Sequence, residues 1–345
     1  MRIFLLTLCL CLPCLLQAQQ NLRYHKSVGL MGSQFELTAI SPDDSLNRAA
    51  VRKGIMEIQR IETLISSWDP QSQTSEINRQ AGKKAVTVDI ELYRLIQRSL
   101  KVSKLTEGAF DISFASADRI WKFDGSMQQI PTDSAIAASV SKIGYEFIVL
   151  SPADTSVFLQ REGMKIGFGA IGKGYAANKA SLLMQEMGIA SGLVNAGGDI
   201  ICWGRPAERQ AWRIGIADPK SENQMLAWLS LNDLAVVTSG DYERYAMIDG
   251  QRYAHIINPK TGWPVKGLKS VSILCPDAEL ADALATSVFV LGPVDGLALV
   301  ERLKSVEVLM LTDQDELISS SGLELERSTE GDTHQYEMSI GSQNR

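Results

Sequence analysis

Histidine, cysteine and clustered positive charge are scarce in this chain. Of 345 residues only three are histidines (His25, His255 and His334) and five are cysteines. Cys9, Cys11 and Cys14 fall in an apolar N-terminal run, which leaves Cys202 and Cys275 beyond it. Two cysteines form at most one disulfide, so a disulfide scaffold is excluded. Both sit in apolar, strand-like runs and are expected as buried free thiols. With no cysteine cluster and so few histidines, the composition also argues against a zinc-type centre. Net charge is −6 and the pI about 5.3. Lysine and arginine are scattered without a basic stripe, which argues against nucleic-acid binding. Internal repeats and Pro- or Ser-rich linkers are also absent.

What is there is ordinary globular composition, 45% hydrophobic and 21% charged, enough for a large core. The expected architecture is one composite α+β domain of mixed sheets packed with helices, over residues 19–322. A polar tail, 323–345, is expected to fray. Residues 1–18 read as a secretory signal: Arg2 supplies the positive start, Ile3 to Leu16 is almost wholly apolar, and Leu16-Gln17-Ala18 offers a small residue before a cut. The apolar run is short for a bilayer span. The three cysteines inside it raise a lipid-anchored alternative. However, Leu10 precedes Cys11 and Pro13 precedes Cys14, where a small residue is usual, so an exported, periplasmic, soluble protein is expected.

Periodicity places the main elements. Gln34–Ile40 reads as a strand. Ser41-Pro42-Asp43-Asp44 opens a helix to about Ile65, with Ser41 as N-cap and Ile55, Ile58, Ile61 and Ile65 on its core face. A short helix starts at Thr74. Val86–Val88 is a brief strand, and Asp89 caps a long helix that ends near Gly108, where a turn presents Gly108-Ala109-Phe110-Asp111. Ser141–Leu159 reads as a hairpin. The glycine-rich run Lys165–Gly174 then feeds a helix from Tyr175 to Met187, a ready anion site. Gly167, Gly172 and Lys173 fit part of a nucleotide P-loop, but Gly174 stands where Ser or Thr should hold Mg²⁺. A phosphate cradle of another kind is therefore expected. Strands follow at Ile200–Trp203, Trp212–Ala217, Ala227–Leu231, Ser270–Cys275 and Val306–Leu311. Two helices, Ala278–Leu291 and Pro293–Leu303, lie between the last two strands.

The densest chemistry lies between Thr238 and Thr286. Asp282 and Thr286 are four apart on a helix, so a carboxylate and a hydroxyl share one face and offer hard oxygen ligands to Mg²⁺ or Ca²⁺. The same pair also reads as a surface carboxylate beside a threonine bonded back to its own helix. His255, beside the rigid turn Asn258–Gly262, reads equally as structural or catalytic.

Taken together, these blocks resemble the ApbE family, the FAD:protein FMN transferases, over about residues 28–310. The resemblance is carried by Met31-Gly32-Ser33, by Trp68-Asp69-Pro70 with Ser75 and Asn78, and by Gly108–Asp111. It continues through Gly169–Ala176, Asn195–Asp199, Thr238–Tyr242, His255–Pro264 and Asp282–Thr286. The resemblance implies an exported Mg²⁺-dependent enzyme, with Ca²⁺ or Mn²⁺ as alternatives. It would cleave FAD, attach FMN to a Thr or Ser hydroxyl of a target flavoprotein subunit, and release AMP. By the same resemblance, Asp282, Thr286 and the main-chain oxygen of Ala170 hold the metal. Met31, Ala109, Phe110, Asp111, Lys173 and Ile257 line the FAD site, and His255 is the catalytic histidine. Since a threonine hydroxyl is a poor nucleophile, a near-neutral imidazole is expected as the base that takes its proton. Gly167 stands where many members carry an acidic residue, so no ligand contact is expected there. Asn258, where Asp is common, is expected to cap its turn. Two alternatives stay open: a metal-dependent FAD diphosphatase, and an exported FAD-binding protein without catalysis. Membrane association would come through the target or a lipid anchor.

Overall fold

The computed structural model describes residues 21–206, 210–219, 221–242, 244–327 and 336–340. The expected signal segment lies outside the described residues. The fold is α+β, built on an eight-stranded antiparallel sheet with helices on one face and a smaller sheet on the other.

The chain opens with β1 (Leu22–Leu30) and β2 (Ser33–Ser41), paired from Leu22 opposite Ser41 to Leu30 opposite Ser33. The two-residue turn between them, Met31-Gly32, has positive φ at both positions (51° and 72°), the twist a tight hairpin needs. Sequence periodicity alone did not show β1, because this edge strand is mostly exposed and polar. Helix α1 (Asp44–Ile65) buries Ile55, Ile58, Ile61 and Ile65 as its period requires. Its N-cap is Asp43 rather than the expected Ser41: the Asp43 carboxylate accepts from Ser45 and Leu46 N–H. Ser41 is held in β2 opposite Leu22, so it cannot also enter the helix.

Next come α2 (Gln73–Arg79), β3 (Val86–Thr87) and α3 (Ile90–Leu105), the last capped by Asp89 as expected. A 3-10 helix, Ile112–Ser116, and α4 (Asp133–Ser139) occupy a region that showed no clear period. The hairpin β4 (Ile148–Ser151) and β5 (Ser156–Leu159) leads to α5 (Gly172–Glu186). Strands β6 (Ser191–Ala196), β7 (Asp199–Trp203), β8 (Trp212–Asp218), β9 (Ser221–Leu231) and β10 (Leu234–Gly240) follow. Then come the hairpin β11 (Tyr245–Ile248) and β12 (Gln251–Ala254), β13 (Leu268–Cys275), α6 (Ala278–Val300), β14 (Glu307–Thr312) and β15 (Leu317–Ser319). The two helices expected after β13 are both there, run together as α6 and separated at the non-helical Gly292 (φ 81°, ψ 178°), directly before Pro293. The tail expected to fray instead contains β16 (Leu323–Arg327) and β17 (Tyr336–Ile340). They add to the smaller sheet in the order β16-β17-β9-β8. Pairing with β9 supplies the backbone partners that composition did not reveal.

Alternation sorts the large sheet's side chains between two cores. Leu37, Ala39, Ile201 and Ala235 pack under α1 and α5, and Val271, Ile273 and Cys275 under α6. Their neighbours Ile40, Cys202, Val236 and Leu274 face β8 and β9. Helix α6 is long and apolar enough to cross a membrane, but 50% of its apolar window is buried against this sheet, as in a core helix. Cys202 and Cys275 are buried free thiols, and burial raises both to about 12.

Candidate active site

The first turn of α5 is where the chemistry-bearing blocks meet. A Cβ on Gly174 would stand 2.1 Å from the Ala278 carbonyl oxygen and 2.8 Å from Asp282 Cβ, so only glycine lets α5 and α6 approach this closely. Asn178, one turn further on, clamps the start of α6: its Oδ1 accepts from Ala278 N–H (2.9 Å) and its Nδ2 donates to Asp277 (2.6 Å). At that contact Asp282 Oδ2 accepts from Gly174 N–H at 3.0 Å. Asp282 is only 5% exposed, which excludes the reading of it as a surface carboxylate. Thr286, one turn along α6, is half-buried.

No side chain of its own segment caps α5. Asp282 supplies that carboxylate from another helix, where the helix dipole favours negative charge. Gly172 N–H donates to Phe168 O (2.7 Å), so two first-turn donors are already committed. The expected anion cradle is thus narrower than the glycine count suggested, and the group added here is the Lys173 ammonium, 2.7 Å from Asp199 Oδ2. Ala170 lies half-buried in the turn that leads into α5. Met31 joins from the β1–β2 turn: its Cε is 3.6 Å from where a Cβ on Gly172 would be. Its N–H donates to Glu62 Oε1 (2.9 Å), and a cavity of about 450 Å³ opens along this turn and Glu62.

Two neighbouring segments complete the set. Asp111 caps the 3-10 helix, with Oδ1 accepting from Ser113 N–H and Oγ–H (2.7 and 2.6 Å) and Oδ2 from Tyr145 N–H (2.8 Å). Burial raises its carboxyl above the ordinary value, against the lowering effect of these bonds. Ala109 and Phe110 are buried, so this loop presents mainly backbone. Gly167 N–H donates to Ile112 O (2.9 Å), which ties the glycine-rich run to that loop. Asn78 fixes the same run by a reciprocal amide pair with Ile166, at 3.0 and 2.7 Å. A Cβ on Gly167 would stand 3.1 Å from Ala115 Cβ.

His255 and Ile257 follow β12, and both are half-buried. His255 Nδ1 lies 3.2 Å from the Arg244 carbonyl oxygen, which can only accept. The bond therefore requires Nδ1–H and leaves the lone pair of the neutral ring on Nε2. Ile257 bridges to Pro264, and Asn258 Oδ1 accepts from Lys260 N–H (2.9 Å), so Asn258 caps the turn as expected. Trp121 anchors this turn by donating from Nε1 to Gly262 O (2.9 Å) and stacking on Tyr253. The turn also reaches the Gly108 loop, where a Cβ on Gly108 would stand 3.5 Å from Lys260 Cε. Beside Ala254 a cavity of about 480 Å³ is lined by Asp241, Arg252, Lys266 and Lys269, among others. Burial raises the Asp241 carboxyl although Arg252 Nη1 stands 3.7 Å away, beyond hydrogen-bond reach.

Among the described residues no group of three or more His, Cys, Asp or Glu side chains could hold a metal ion. A hard cation here would have one buried carboxylate with neutral oxygens. That set suits Mg²⁺, which keeps waters and draws ligands from substrate phosphates. Sequence reasoning placed Asp199 in a motif block without giving it a role, and it missed the Trp121 cluster. The Gly-Gly pair before Asp199 was the available signal for the first, and the hairpin sequence Asp249-Gly250 for the β11–β12 ribbon packed on the second.

The sequence model of the ApbE family matches residues 31–310. A Klebsiella pneumoniae FAD:protein FMN transferase is 31% identical over 303 residues, covering 87% of this chain and 93% of the relative. The Treponema pallidum FAD:protein FMN transferase is 33% identical, with 80% of each chain covered. Among solved structures, the Thermotoga maritima ApbE protein superposes with a TM-score of 0.80 at 30% identity, over 87% of this chain and 97% of its own. The Vibrio cholerae flavin transferase ApbE gives 0.78 at 25% identity, over 87% and 98%. With most of its length matched in both sequence and fold, this chain belongs to the ApbE family.

Proposed function

We propose that this chain is an exported, Mg²⁺-dependent FAD:protein FMN transferase. It would join FMN through a phosphoester bond to a Thr or Ser hydroxyl of a periplasmic or membrane flavoprotein subunit and release AMP. The observation that carries the reading is the Asp282–Gly174 bond, which seats a buried carboxylate at the same helix start that carries Lys173. The side chains of Asp282 and Thr286 and the Ala170 carbonyl would hold Mg²⁺, which supplies charge neutralisation at the diphosphate when bound. Met31, the backbone of Ala109, Phe110 and Asp111, and Ile257 would border the flavin. Lys173 balances phosphate charge. His255 Nε2 accepts the proton of the acceptor hydroxyl as its oxygen bonds to the FMN phosphorus. The P–O bond to the AMP half breaks, and AMP carries away the electron pair. The leader 1–18 supports export, and its cysteines leave a lipid anchor as the alternative.

The test incubates mature protein with FAD, Mg²⁺ and a flavinylatable subunit, with in-gel fluorescence and chromatography of AMP and FMN. Covalent fluorescence matched mole for mole by AMP is expected. AMP with free FMN and no labelled target would instead establish a diphosphatase, and FAD binding without AMP a carrier. His255→Ala should slow transfer by about 10²–10⁴-fold while FAD still binds; an unchanged rate would remove His255 as the base.

A further inference from the structure

Lys173 does not stand alone at the start of α5. Its Nζ is 2.7 Å from Asp199 Oδ2, and Asp199, at 1% exposure, is far more buried than the lysine. Asp199 is the first residue of β7, directly after the Gly197-Gly198 turn, where φ is 66° and 105°. The turn is tightly seated. A Cβ on Gly197 would fall 1.8 Å from Ser33 Oγ, and Gly198 N–H donates to Asn195 Oδ1 at 2.8 Å. The β6–β7 turn therefore locks against the start of β2, next to the turn that carries Met31, and the residue after it, Asp199, places a carboxylate at Lys173. A buried carboxylate is costly unless paired. At 2.7 Å the ammonium and the carboxylate are in direct ion-pair contact. This geometry fixes where the ammonium sits, and a group with three N–H donors can serve a second anion as well as Asp199.

We propose that Asp199 is a positioning residue that holds Lys173 against the diphosphate of the bound dinucleotide. The inference rests on the reading of this site as one that binds FAD. Asp199 touches no substrate; it acts through the lysine, which would otherwise range over its many rotamers.

The test compares dissociation constants for FAD and for riboflavin, which lacks phosphate, in wild type, Asp199→Asn, Lys173→Met and the double variant. The expected result is that Asp199→Asn weakens FAD by roughly tenfold, as loss of a residue that orients a ligand-binding group does. Riboflavin should change by less than about twofold, and Asp199→Asn should add little once Lys173 is already Met. Equal losses for both ligands, or a full Asp199→Asn penalty without the lysine, would overturn the positioning role. If the single variants fold poorly, the double variant should recover melting temperature, because it leaves no unpaired buried charge; failure to recover also counts against the pair. A wild type that binds FAD but modifies no acceptor would overturn the proposed reaction, and additive dissociation constants would overturn this inference, so the two failures are distinct.

Discussion

Asp282, in α6, accepts a hydrogen bond from the backbone N–H of Gly174 in the first turn of α5, at 3.0 Å. One contact thus joins a helix cap, a helix crossing and the candidate metal-binding carboxylate. Changes on either side should separate these roles.

Gly174→Ala tests the crossing. The added methyl would fall 2.1 Å from the Ala278 carbonyl oxygen, so the helices must part. We expect a loss of about 1–3 kcal/mol in denaturant unfolding, typical of overpacking, together with weaker FAD binding. A variant as stable as wild type would show that the crossing tolerates a side chain.

Asp282→Asn tests the carboxylate. The amide oxygen can still accept from Gly174 N–H, so the melting temperature should move little. Transfer should fall by more than the roughly 10–100-fold typical of changes in a metal's outer shell, and higher Mg²⁺ should partly restore it. Activity that is unchanged and independent of added Mg²⁺ would rule out the metal assignment.

Met31→Asn tests a conflict between stability and function. Met31 sits at φ 51°, a region disfavoured for L-residues and better tolerated by Asn. Stability should rise by up to about 1 kcal/mol, while FAD affinity falls because the side chain packed beside Gly172 is lost. The check pairs urea midpoints with flavin fluorescence titration.

Glu91 links α3 to α1 and α5, pairing with Arg60 at 2.8 Å and accepting from the Tyr175 hydroxyl. Burial opposes its ionisation, but the bonds from Arg60 and Tyr175 prevail and hold its carboxyl below the ordinary 4.5. The folded protein therefore binds this proton more weakly than the unfolded chain does. Its stabilisation is complete above pH 4.5 and is lost as pH falls through the folded value. Melting curves from about pH 6 to about pH 3 should show a flatter acid decline for Glu91→Gln than for wild type.

Local rules made several of these features legible from sequence. Ile55, Ile58, Ile61 and Ile65 recur at helical spacing, so the buried face of α1 needed no tertiary information. The cap at Asp89, the break at Gly292-Pro293 and the Asn258 turn follow from properties of single residues and their neighbours. The order of the motif blocks likewise carried the family resemblance that the fold comparison bears out.

What local order left open were features whose partners lie far along the chain. The strands β1 and β17 exist because β2 and β9 offer backbone partners, β16 pairs in turn with β17, and no internal period announces them. The sequence by itself determined the α+β class, the amphipathic helices and the small set of groups able to do chemistry, because these depend on periodicity and side-chain type. Only the tertiary structure decided that Asp282 caps a helix beginning 110 residues earlier, counted from Gly172, and that Asp199 rather than a solvent counterion meets Lys173. Those pairings arise where glycine lets backbones touch and burial makes an unpaired charge too costly.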